Sequence, residues 1–184
     1  MKELDEITIK LAAKGKLQAF RKVYDHYSNF VWKVVYRTVN GDEDSAQLIM
    51  QNVFIKVYND LKSFKFHSSF STWLYRITYN ETMAYLKKLR RRQKKECPFV
   101  ETINKSREND PLENKEMVSA ILHTLSAADR FLLIAREVNN IPFEDLADIT
   151  GKSSGALRTM LHRIKESIRK GFDYETGRVL SQAV

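Results

Sequence analysis

Between Leu17 and Val35, the apolar residues Leu17, Phe20, Val23, Tyr24, Tyr27, Phe30, Val31, Val34 and Val35 step by three and four, so their side chains share one face of an α-helix. The stripe runs until Asn40 and Gly41, residues suited to the left-handed turn that ends a helix. It resumes in Ala46, Ile49, Met50, Val53, Phe54 and Val57, after Asp42, Glu43 and Asp44, whose charges favour a helix N-terminus. Sustained β-branched alternation is scarce, and only six glycines and three prolines punctuate 184 residues. The spacing predicts an all-α fold in which these two helices pack stripe to stripe. A shorter helix from about Leu4 to Ala13, broken near Gly15, precedes them.

The polar side of the second striped helix carries Asp44, Gln47, Gln51, Asn52 and Lys56, and it reads either as a solvated face or as a docking face for another protein. A break from Asn59 to Ser69 leads into the stretch from Ser68 to Lys95, in which Trp73, Leu74, Ile77 and Leu86 recur at helical spacings. Ser69 or Ser71 can cap its first turn. This helix changes character along its length. Seven of the nine residues from Lys87 to Lys95 are Lys or Arg, while Phe64, Phe66, Phe70, Trp73, Tyr75 and Tyr79 lie upstream among Ser63, His67, Ser68, Ser69, Ser71 and Thr72. A charge run alone reads as a solvated helix. Cations beside rings on which unstacked bases can sit are what single-stranded nucleic acid requires, although Trp73 and about half of the other rings are expected in the core.

After Lys95 the periodicity stops. Residues 96–114 hold Pro98, Pro111 and five acids (Glu96, Glu101, Glu108, Asp110, Glu113) against Lys105 and Arg107, which reads as a flexible linker with no attraction for polyanions. The chain thus divides into two small helical domains, 1–95 and 115–184, joined by that linker. Periodicity restarts at Met117, Ile121 and Leu122, and Ser126-Ala-Ala-Asp129 has the form of a capping box. Phe131, Leu132, Ile134, Ala135 and Val138 follow. Pro142 then opens a short helix, Phe143 to Ile149, which Gly151 closes; Ser153 or Ser154 caps a last helix bearing Leu157, Leu161, Ile164 and Ile168. Short helix, tight turn and second amphipathic helix make a helix-turn-helix pattern, found in DNA readers and in plain bundles alike. Arg158, Thr159, His162 and Arg163 lie on the polar side of the reading helix.

Lys and Arg outnumber Asp and Glu by 31 to 23, a net charge of +8 that suits a polyanionic partner. The single cysteine, Cys97, excludes an internal disulfide, and four scattered histidines show no metal-ligand spacing. No run of about 18 apolar residues is present and MKELDEITIK lacks a signal-peptide core, so no membrane insertion and a cytoplasmic location are expected. No phosphate-cradling glycine loop or paired His and Cys suggests catalysis. The expectation is a protein that is not an enzyme and needs no cofactor.

FSTWLYRITYN (Phe70 to Asn80) resembles the promoter-melting segment of bacterial RNA polymerase sigma factors of the extracytoplasmic-function (ECF) type, commonly F-x-x-W-L-x-x-I-x-x-N before a basic helix. MQNVFIKVY (Met50 to Tyr58) resembles that family's core-polymerase-binding motif, D-x-x-Q-E-x-F, and Gly155-Ala-Leu-Arg-Thr-Met-Leu-His-Arg163 its G-T-V-K-S-R-L-x-R pattern. The resemblance covers about 16–95 and 115–171. It implies a two-domain helical factor that binds polymerase core at the clamp and recognises, melts and initiates transcription from promoter DNA, with an anti-sigma factor as a further partner.

By the same resemblance Asp44, Gln47, Gln51 and Phe54 belong to the core-binding helix, Gln51 exposed and Phe54 buried. Ser63, Phe64, His67, Ser68, Phe70 and Thr72 belong to the segment that captures a flipped base of the minus-ten element, and Arg76, Asn80, Lys87, Lys88, Arg90 and Arg91 to strand-backbone contacts. Ser154, Arg158, Thr159, His162 and Arg163 fall at the positions that read the minus-thirty-five element. The chain departs from the pattern where Gln47 and Leu48 replace an acidic pair, Asn52 stands for Glu, and Met160 replaces the common Arg. Two other readings remain open. One is a regulator using the helix-turn-helix without core polymerase; the other is an enzyme on single-stranded nucleic acid, for which Asp60 is the nearest acid upstream of the aromatic loop.

Overall fold

The computed structural model describes residues 3–96 and 122–182, and among them every regular element is helical. Helices α1 (Glu6–Ala13), α2 (Leu17–Thr38) and α3 (Glu43–Asp60) precede a 3-10 turn (Leu61–Ser63) and the long α4 (Phe70–Glu96). The second part comprises α5 (Ala127–Leu133), a π-helical turn (Ile134–Val138), α6 (Phe143–Thr150) and α7 (Ser154–Gln182). The expected linker starts at Glu96, which instead ends α4; the rest of it, 97–114, and the expected restart at Met117 and Ile121 lie outside the described residues.

Local chemistry sets the boundaries. Asp5 and Asp42 accept hydrogen bonds from the amides of Thr8 and Ser45 as N-caps of α1 and α3. Asn40 and Gly41 both take positive φ, 59° and 75°, and turn the chain between the two striped helices. Of the two candidate caps for α4 it is Ser69 that accepts from the Thr72 amide, 3.1 Å, while Ser153 caps α7 by accepting from Ala156. Ser126 caps α5 by accepting from the Asp129 amide, 3.2 Å, and its hydroxyl donates to the Asp129 carboxylate, 2.7 Å, a bond between side chains where the capping box expected one from the Ser126 amide. Pro142 stands at the N-cap of α6, one place before the expected first turn, and Gly151 ends the helix at φ 72°.

The first core joins α1 to α4 through Val23, Tyr27, Val31, Val35, Ile49, Val53, Val57, Leu61 and Leu74, all fully buried or nearly so. The second core does not stand alone. Phe131, Leu146, Leu157 and Leu161 close around Val34 of α2 and Tyr75 of α4, with Phe30, Tyr79 and Met83 at its edge. Tyr75 is 0% exposed, and its ring lies 5.2 Å from Phe30 and 5.4 Å from Phe131. Asn139 donates to the Tyr75 hydroxyl, 2.7 Å, and buried Arg130 donates from Nε to the Thr38 carbonyl, 2.9 Å, at the end of α2. Burial of rings of this size contributes about 1.5–3 kcal/mol each, against about 0–1 kcal/mol for a surface ion pair, so the two domains are held by apolar packing. The second domain thus completes its core with residues borrowed from the first.

Candidate nucleic-acid interface

The aromatic loop is mostly core. Phe64 (8% exposed), Phe70 (2%) and Trp73 form a cluster with centroids 5.2–5.6 Å apart, and Phe70 also meets Tyr27 at 5.0 Å. Phe64 and Phe70, expected in the segment that captures a flipped base, are therefore corrected to packing residues, their rings joining Trp73 and Tyr27 to anchor the turn and loop at 61–69 on the core. Thr72 is corrected likewise. It is 9% exposed and donates to Asp145 of α6, 3.2 Å, under the second domain. The ring left in the open is Phe66, 36% exposed at φ 59°, with the Lys10 ammonium 5.2 Å from its centroid. Around it Ser63, His67 and Ser68 are exposed.

The N-terminal segment braces this loop. Glu3 accepts from the Ser71 amide and from the Tyr27 hydroxyl, 3.3 and 3.2 Å, and the Leu4 amide donates to Tyr27. Burial pushes the Tyr27 hydroxyl up to about 12, the Leu4 amide opposing and Glu3 adding to the shift, so it remains a donor at any working pH.

Arg76 and Asn80, four residues apart on α4, do come together with Ser63. All three line a surface cavity of about 210 Å³ whose other polar lining is Lys56, Asp60 and Glu81 and whose apolar wall is Trp73 and Ile77. Lys56 pairs with Asp60 at 3.0 Å, while Glu81 is half-buried and has no ion pair among the described residues. Glu81 was missed by the sequence reading. Its signal was nonetheless present, since Trp73, Ile77 and Glu81 step by four along one face. Farther along α4, Lys87, Lys88, Arg90, Arg91 and Arg92 are exposed and carry no ion pair among the described residues, so these five form an open cationic surface.

On α3, Asp44, Gln47 and Gln51 are exposed and Phe54 is 6% exposed beneath them, as expected. Gln47 and Gln51 line a second cavity, about 360 Å³, with Tyr24, Trp32, Glu43 and Met50. The exposed carboxylates Asp42, Glu43 and Asp44 occupy the start of this helix, one turn before the positions where the family's acidic pair is absent.

In the second domain Arg158, Thr159, His162 and Arg163 are exposed on the first three turns of α7, with Ser154 half-buried and bonded to the Phe143 carbonyl, 3.3 Å. Arg158 is held. Its guanidinium lies 4.9 Å from the Phe143 ring and 3.2 Å from Glu144, and Arg136 covers the same ring at 4.8 Å. Arg130 was missed as a structural residue. Three carbonyls, of Thr38, Leu122 and Leu125, receive its guanidinium, and burial lowers its pKa with Arg90 acting in the same direction. Among the described residues no helix is long and apolar enough to cross a membrane, and no group of three or more His, Cys, Asp or Glu could hold a metal ion.

Residues 23–92, which hold most of α2, all of α3 and most of α4, match the family Sigma-70 region 2. The chain is 28% identical to the ECF RNA polymerase sigma-E factor of Haemophilus influenzae, over 89% of this chain and 93% of that one. It is 29% identical to the ECF RNA polymerase sigma-E factor of Escherichia coli K12 over 89% and 92%, and 25% identical to the ECF RNA polymerase sigma factor SigW of Bacillus subtilis over 88% and 93%. Its fold is that of RpoE in complex with the anti-sigma factor NepR from Bartonella quintana, at a TM-score of 0.69, 19% identity and coverage of 85% of this chain and 98% of that one. CnrH in complex with the cytosolic domain of CnrY compares at a TM-score of 0.67, 18% identity and coverage of 92% and 97%. Residues 23–92 thus carry the pattern of a Sigma-70 region 2, and over most of its length the chain is similar to bacterial ECF sigma factors, whose two-domain, all-helical fold it shares.

Proposed function

We propose that this protein binds RNA polymerase core through the exposed side of α3, grips an opened minus-ten strand along α4, and reads a minus-thirty-five element with the first turns of α7. The observation that carries the reading is the exposed cationic face from Lys87 to Arg92, without an ion pair among the described residues and continuous along one helix with the cavity at Arg76 and Asn80. Cations on a straight helix neutralise successive phosphates, and a cavity next to them accepts what the phosphates bring. The chemistry of RNA synthesis belongs to the polymerase. An anti-sigma factor as a regulator fits the same reading, since the related RpoE was solved with one.

This function requires the domains to part. Two elements centred 25 base pairs apart are separated by about 85 Å along the duplex. A compact chain of this length has a radius of gyration of about 16 Å, so the closed arrangement reaches one element at a time. Residues 96–114, fully extended, span up to about 65 Å, which with the width of the two domains covers the distance. Opening exposes Tyr75 and Phe131, and holoenzyme formation and promoter contacts must offset that cost.

Purified protein mixed with core polymerase should form a complex without promoter DNA and direct specific transcripts from a promoter library. A protein that ignores core while still binding duplex DNA would overturn the reading in favour of a stand-alone regulator. With holoenzyme formed, replacing Lys87, Lys88, Arg90 and Arg91 by Ala should lower the slope of log affinity against log salt for a single-stranded minus-ten oligonucleotide by up to about 3. An unchanged slope removes these residues from the phosphate contacts.

A further inference from the structure

Resting on the reading that α3 meets core polymerase, we propose that the 360 Å³ groove between α2 and α3 receives the side chain of one arginine from the polymerase clamp, its guanidinium stacked on Trp32 and paired with Glu43. The lining has the shape for a long side chain. Tyr24 and Trp32 stand eight residues apart on α2, about 12 Å, while Glu43, Gln47 and Gln51 step by four along α3. The helices run in opposite directions from the turn at 39–42, so Trp32 and Glu43 mark one end of the groove and Tyr24 and Gln51 the other. Met50 gives an apolar surface on which an aliphatic stem can lie.

The charge of the lining calls for a cation. Glu43 is its charged member, exposed and with no ion pair or hydrogen bond from its side chain among the described residues, and Asp42 and Asp44 beside it are exposed as well. On a chain of net charge +8 this is a local excess of negative charge. The negative charge that Gln47 does not bring to this face is thus supplied one turn earlier, by Glu43. Trp32 is half-buried, and Tyr36 stacks on it at 5.7 Å and 23°, which fixes the ring plane. A guanidinium is planar, stacks on an indole and has five donors, enough for the Glu43 carboxylate and the side-chain carbonyls of Gln47 and Gln51 together. A lysine ammonium, a point charge with three donors, would use the ring and the amides less fully.

The test uses the full chain, dye-labelled at its single cysteine, Cys97, and titrated with core polymerase. Glu43→Gln, which keeps the size of an exposed side chain, should weaken binding roughly tenfold. Trp32→Leu keeps apolar bulk but removes the ring face and should weaken it roughly threefold to tenfold. Glu43→Gln decides the matter alone if Trp32→Leu lowers the melting temperature. A photo-reactive p-benzoylphenylalanine in place of exposed Leu48 should cross-link to a clamp segment that carries an arginine, identified by mass spectrometry. Replacing that arginine by Lys in the polymerase should weaken binding to within about twofold of the Glu43→Gln effect, and the two changes together should add less than about twofold more, since both remove one pairing. Binding of Glu43→Gln as tight as that of the parent protein, a cross-link to a segment without arginine, or two losses that multiply in full would each overturn the proposal and leave α3 as the core-binding helix. Core polymerase that fails to bind the parent protein overturns that reading as well.

Discussion

The two parts of the molecule differ in how they are held together. The first, α1 to α4, encloses a core drawn wholly from its own helices, with a cluster of rings under the loop at 64–70. The second, α5 to α7, has short helices and completes its core with Val34 and Tyr75 from the first. Self-sufficiency in one and dependence in the other means that the first domain can present its cavity and cationic face at any time. The second domain exchanges borrowed apolar contacts for whatever it meets when it leaves.

Separating the domains covalently breaks that comparison most sharply. A fragment of residues 1–96 should retain a cooperative thermal transition, whereas 115–184 alone should melt without one, as followed by circular dichroism. A cooperative transition in both would show two independent cores. Next in size, Tyr75→Ala leaves a ring-sized void between the domains and should cost about 3–5 kcal/mol by denaturant unfolding. Arg130→Ala strips the partner from three carbonyls, one of them across the domain boundary, and should cost about 2–3 kcal/mol. Arg130→Lys should recover only part, since one ammonium cannot reproduce the guanidinium fork.

The smallest effect belongs to His123, whose pKa is lowered first by burial and then by the Arg130 charge. The neutral form is therefore favoured in the folded state. The unfolded chain takes up the proton first as pH falls, so stability is complete above about 6.5 and declines as pH drops through the folded value. His123→Gln should flatten this part of the stability profile between pH 7 and pH 5, seen as a smaller fall in Tm than in the parent protein. An identical fall in both would place His123 in water.

Much of the fold was legible because helix faces and caps are local. The stripe from Leu17 to Val35, the left-handed pair Asn40 and Gly41, and the Ser126 cap each follow from spacing and residue chemistry within a few positions. The fates of the rings were not. Phe64, Phe66 and Phe70 fall within seven residues at the entry to α4, yet only tertiary packing decides that two go inside and Phe66 stays out. Tyr75 read as one more ring beside a basic run, and its place under Phe131 depends on a partner 56 positions away in sequence. The π-helical turn at Ile134–Val138 and the buried Arg130 carry no periodic mark. At the cavity, Arg76 and Asn80 were found by motif, whereas Glu81 needed the helix face to be drawn out one step further.

The account turns on whether the domains close on each other in the free protein and part in the working complex. The direct measurement is energy transfer between dyes at Ala84→Cys on α4 and Ser167→Cys on α7, with Cys97→Ser, taken free, with core polymerase, and with core and promoter DNA. The account predicts high transfer in the free protein and a drop to near background with core and promoter. Low transfer in the free protein, or high transfer that persists in a transcribing complex, would contradict it.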